Sequence, residues 1–95
     1  MYLLEIKHQN YRIKLKKNIY LTELDGEYIL LSISPFAYFH LNKTMYIYYL
    51  AIKECKYYVE TLTRLQFVFS DIELAQICDD LNDVIHYLRY NKLLY

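Results

Sequence analysis

Glycine and proline occur once each in these 95 residues, and tryptophan does not occur at all. A single Gly leaves no glycine-rich loop of the kind that cradles phosphates. A single Pro, with no Ser- or Gly-rich stretch, leaves no linker and no low-complexity segment. The only cysteines, Cys55 and Cys78, are too far apart for any metal-ligand or redox spacing. Each falls in an apolar-periodic stretch, where a free Cys behaves as a small buried hydrophobe. Net charge is missing as well, because eleven basic residues cancel eleven acidic ones. Nucleic-acid binders draw most of their affinity from neutralising phosphates, so a balanced chain starts far from that class. Lys14, Lys16 and Lys17 come nearest to a basic patch and read as a solvated strand edge. No apolar run has the length of a membrane span. Met1 to Ile6 is too short, and with Glu5 too polar, for a signal peptide. A cytoplasmic protein with no membrane role is expected.

Apolar material is plentiful: 56% of the residues are hydrophobic and thirteen are Tyr. Ninety-five residues suit one domain with one modest core. A tyrosine combines a large apolar body with a hydroxyl that tolerates water, so many of these rings belong at boundaries or interfaces.

Asp25-Gly26 is a two-residue hairpin signal, since Gly tolerates the positive φ of a primed turn. It is flanked by strand-like runs, Asn18 to Leu24 and Glu27 to Ile33, and Ser34-Pro35 turns the chain into Phe36 to Leu41. An antiparallel meander of three strands over residues 18 to 41 follows. After Asn42 the period becomes helical, with Met45, Tyr48, Tyr49, Ile52 and Cys55 marking a helix from Thr44 to about Lys56. Val59 to Phe69 reads both ways: Leu62, Leu65 and Phe69 fit a helix, while the β-branched Val59, Thr61, Thr63 and Val68 oppose it. A third helix, capped by Ser70 or Asp71 with Glu73 near its positive end, runs to about Tyr90. Its apolar stripe is Leu74, Ile77, Leu81, Val84, Ile85 and Leu88. Near the start, Tyr11, Ile13 and Leu15 alternate with Arg12, Lys14 and Lys16, which suits a further half-exposed strand. Residues 1–15 form an extension, with Leu3, Leu4 and Ile6 assigned to the core or to self-association; 16–95 form the domain.

The order of these elements, with Asp25-Gly-Glu-Tyr-Ile-Leu-Leu31 and Tyr38-Phe-His-Leu-Asn-Lys-Thr44, resembles the PqqD-like recognition elements that bind leader peptides of ribosomally made, modified peptides. Tyr48-Tyr49 stands where that family has an aliphatic-aromatic pair, and Asp80, Val84-Ile85, Leu88 and Leu93-Leu94 follow its terminal helix. The chain departs from the pattern at Lys92, where the family often has Gly, and at Met45 and Tyr46, where small residues are usual. The resemblance implies a winged-helix-like α+β fold, a three-stranded antiparallel sheet followed by three helices. It also implies a stand-alone binding protein, most similar to the lasso-peptide type. Its ligand would be a precursor (leader) peptide, its partner a leader peptidase or another tailoring enzyme, and it would need no cofactor.

The binding mode so implied is strand addition: an unpaired edge offers backbone N–H and C=O groups that an extended peptide completes. Carried over residue by residue, Ala37, Tyr38, Phe39 and His40 supply the edge. Asp80, Asp83, Val84 and Tyr87 line the facing helix, with Val84 and Tyr87 forming an apolar pocket and the two carboxylates fixing a basic or donor group. Bland alternatives stand beside these roles, a structural carboxylate for Asp80 and boundary packing for Tyr87. No Ser/His/Asp or Cys/His arrangement accompanies Cys55, Cys78, His8, His40 or His86, and two histidines alone make a poor metal site, so no catalysis is expected. Two rival classes are a small winged-helix-like DNA-binding regulator and a self-associating module, the latter compatible with a homodimer. The third helix carries Glu73, Asp79, Asp80 and Asp83 against Arg89 and Lys92, an acidic majority ill suited to a major groove.

Overall fold

The computed structural model describes residues 10–33 and 36–95. The assignments made for Leu3, Leu4, Ile6 and His8, and the turn at Ser34-Pro35, lie outside the described residues.

Strands β1 (Ile19–Leu24), β2 (Glu27–Ile33) and β3 (Phe36–Leu41) form an antiparallel sheet in the order β1-β2-β3. Helices α1 (Lys43–Cys55), α2 (Tyr58–Val68) and α3 (Leu74–Tyr90) follow. The fold is thus the α+β arrangement of a three-stranded sheet and three helices that the sequence pattern implies. The β1–β2 hairpin closes through Asp25 at φ 52° and Gly26 at φ 79°, two successive positive φ values that suit a primed turn. In-register pairing places Tyr20, Leu31 and Tyr38 in one row, and Leu21, Leu30 and Phe39 in the next.

Side chains alternate across the sheet. Ile19, Leu21, Tyr28, Leu30, Phe39 and Leu41 face the helices and join their core. Buried in that core are Tyr48, Ile52, Leu65, Ile77, Leu81 and Leu88. The stripe read from the third helix is therefore its buried face. The ambiguous segment resolves as a helix because Leu62 and Leu65 are buried together. Thr61 and Thr63 turn their hydroxyls back onto the carbonyls of Tyr57 and Val59 four residues earlier.

The helix ends are specific. Asn42, at the Leu-Asn-x-Thr motif, caps α1 by accepting a 2.8 Å hydrogen bond from the Met45 amide at Oδ1. The start of α3 corrects the expected cap at Ser70 or Asp71. The chain first turns, the Ile72 amide donating to the Phe69 carbonyl at 3.0 Å, and the N-cap falls on Glu73. At its other end the Lys92 amide donates to the Arg89 carbonyl and the Leu93 amide to the Leu88 carbonyl, with Lys92 at φ 59°. This is a complete Schellman motif, sealed by the buried pair Leu88 and Leu93. Its left-handed position is the one where the resembled family often has Gly, and a Lys holds it here.

The segment before β1 is stitched to two distant places. The Ile13 amide donates to the Lys56 carbonyl at 2.7 Å, and the Tyr58 amide to the Tyr11 carbonyl at 2.9 Å. Farther along, the Lys16 amide donates to the Leu93 carbonyl at 3.0 Å and the Tyr95 amide to the Lys14 carbonyl at 2.9 Å. Ile13 is buried by these ties.

Candidate peptide-binding site

β3 pairs with β2 on one side only, and among the described residues no strand covers its other edge. A lone edge keeps alternate N–H and C=O groups unpaired along its length. Every second side chain of β3 faces the helical layer: Ala37 and Phe39 are half-buried there, and Leu41 is buried. Phe39 meets α3 through Tyr87, ring edge to ring face, with centroids 6.4 Å apart and planes at 83°. That contact brings the strand and the helix together at one place, and such a pair contributes about 0.5–1.5 kcal/mol beyond its area burial.

Tyr38 and His40 project from the opposite, open face of the sheet. Their rings meet edge-on at 5.9 Å, and His40 Nδ1 lies 3.6 Å from Glu27 Oε2 in a solvent-exposed pair. Their side chains are therefore directed away from α3, and only their backbone lies along the edge facing it.

On α3, Asp80, Asp83, Val84 and Tyr87 fall at spacings that group them along one side of the helix. They are not equally available. Val84 is buried in the core, Tyr87 is half-buried, and Asp83 is exposed. Asp80 is engaged from two sides. Gln76 donates to its Oδ1 at 2.8 Å, and the carboxylate acts on the buried hydroxyl of Tyr48. The Tyr48 pKa is pushed up to about 12, first by burial, then by the negative charge of Asp80 and a hydrogen bond to it. Sequence reasoning places Tyr48 in the core but misses this polar tie. Its signal is faint: an aromatic at a core position of one helix gives no sign of which carboxylate another helix will offer it.

No protein-family model and no curated protein matches the chain. A solved structure does: "TbiB1 in Complex with the TbiA(beta) Leader Peptide", 22% identical, at a TM-score of 0.73, over 85% of this chain and 93% of that one. The two chains share a fold. TbiB1 has that fold in a complex with a leader peptide. In the present chain the same architecture holds together an unpaired strand edge, the Phe39–Tyr87 contact and the α3 carboxylates, with no helix among the described residues long and apolar enough to cross a membrane.

Proposed function

We propose that this chain is a non-catalytic, PqqD-like recognition protein that binds the leader region of a ribosomally synthesised precursor peptide. The leader adds as a fourth strand along Ala37 to His40, and its alternate side chains settle against Phe39 and Tyr87, with the buried Val84 forming the apolar backing of α3 behind them. Asp83, exposed and with its carboxylate on the same side of the helix, meets a basic or donor group of the leader, while Asp80 sets the wall behind it through Tyr48. The bound precursor is then presented to a leader peptidase or another tailoring enzyme, as in lasso-peptide systems. Tethering of this kind raises the local concentration of the core peptide at the enzyme without any new chemistry. The protein uses no cofactor and works in the cytoplasm on this reading.

The observation that carries the proposal is the free edge of β3 beside the Phe39–Tyr87 contact. The test is fluorescence polarisation with labelled leader peptides of precursors encoded in the neighbourhood of this gene. Micromolar or tighter binding is expected, weakened about fivefold or more by Tyr87→Ala. Absence of binding, or equal binding by the variant, contradicts the proposal.

A second reading, self-association, is favoured by the open face of the sheet. Tyr20, Leu24, Ile33, Phe36 and Tyr38 are all at least half exposed there. Clustered apolar surface of this kind marks interaction sites. Sedimentation that stays monomeric at high concentration contradicts a homodimer through this face.

A further inference from the structure

Away from the β3–α3 region lies a groove of about 640 Å³, formed by the 12–17 segment, the end of α1 and Tyr95. Five of the chain's eleven Lys and Arg residues line it: Arg12, Lys14, Lys17, Lys53 and Lys56. Among the described residues no acidic side chain lines it. The ion pairs among the described residues are His40–Glu27 and Arg64–Glu54, and neither involves any of the five. In a chain of zero net charge, that is a marked segregation of sign. Lys53 and Lys56 have a structural use, since cations favour the negative end of a helix. Arg12, Lys14 and Lys17 have no such helix end to serve. The floor of the groove is apolar, made by Ile13, Leu15 and Ile52.

We infer that this groove is a second docking site, which takes a carboxylate-rich, apolar-containing peptide segment of a partner protein. Cations on the rim match carboxylates, and the aliphatic floor matches a bulky side chain between them. Charge complementarity of this kind fixes register and speeds encounter. A nucleic-acid strand fits less well, because the protein has no overall positive field to draw one in. The groove shares no lining residue with the β3–α3 region, so the two could be occupied together.

The probe is a fluorescein-labelled synthetic peptide of Glu, Asp and Leu, titrated with the full chain by polarisation. Binding is expected to weaken as salt rises and to fall about tenfold or more in Lys14→Glu/Lys53→Glu. Lys43→Glu, which removes an exposed cation outside the groove, should leave it unchanged. Lys14→Gln/Lys53→Gln gives an intermediate loss and guards against a folding defect, which circular dichroism reports directly. Leader-peptide affinity should be the same in all four proteins, so this inference and the proposed function fail separately. The inference is overturned by no binding of the probe, by equal losses in Lys43→Glu, by tighter binding of a single-stranded oligonucleotide of equal charge, or by salt-sensitive self-association that excludes the probe.

Discussion

Replacing Tyr48 by Phe separates the structural part of the α3 carboxylates from any binding part. In the folded chain the Tyr48 pKa stands at about 12 against an ordinary 10. Its neutral form is favoured by the fold, so the associated stability is complete below pH 10 and is lost as pH rises towards 12. A tenfold change in an ionisation constant corresponds to 1.36 kcal/mol, so the full loss is on the order of 3 kcal/mol. Tyr48→Phe removes the titrating group and its polar interaction with the Asp80 carboxylate, at a cost of about 1 kcal/mol at neutral pH. Tyr49, whose pKa burial also raises, is present in both proteins and cancels in the comparison. Urea unfolding followed by circular dichroism at a series of pH values should therefore show the wild type more stable at pH 8. The order should invert in the alkaline range, a little above the ordinary tyrosine pKa. Parallel curves with no crossing would refute the raised pKa of the buried Tyr48.

Other perturbations test the frame that carries the site. Tyr58→Phe removes a hydroxyl that donates to Asn82 Oδ1 at 2.8 Å and lies 3.0 Å from the buried Cys78 sulfur, joining α2 to α3. Thermal or urea unfolding should show a loss of roughly 1–2 kcal/mol. Asn42→Ala, which removes the α1 cap, should cost about 1 kcal/mol by the same measurement. Lys92→Gly should stabilise by about 0.5–1 kcal/mol, since Gly takes the left-handed position without the strain a Cβ brings. A destabilised Gly variant would mean that the Lys92 side chain contributes more than its backbone costs.

Most of the fold was legible in the chain because its signals are local. Asp25-Gly26 sets the hairpin, the alternation in β1 to β3 sorts side chains between two faces, and the stripe from Leu74 to Leu88 sets the buried side of α3. Where the signal depended on distant partners, it ran out. Alternation at Tyr11, Ile13 and Leu15 indicated an extended segment. Its bonds to Lys56, Tyr58, Leu93 and Tyr95 could not be read, because those partners are far along the chain. The cap of α3 shifted to Glu73 because a tight turn at Phe69 to Ile72 took up the residues that resemble a cap.

The candidate site divides the same way. β3 was recognisable as the last strand of a meander, hence as an edge, and Tyr87 as a residue beside the core stripe. Their meeting through Phe39 was not, since it depends on how α3 lies across the sheet. Equally, nothing in the charge pattern of Lys14 and Lys17 indicated that Lys53 and Lys56 would join them around one groove.

Strand addition at β3 is the central claim, and amide hydrogen exchange measured with and without the leader peptide tests it most directly. On this account the peptide slows exchange of outward-facing amides between Ala37 and His40, and leaves the other sheet edge, Ile19 to Leu24, unchanged. Protection confined to β1, or tight binding with no change at β3, would contradict it.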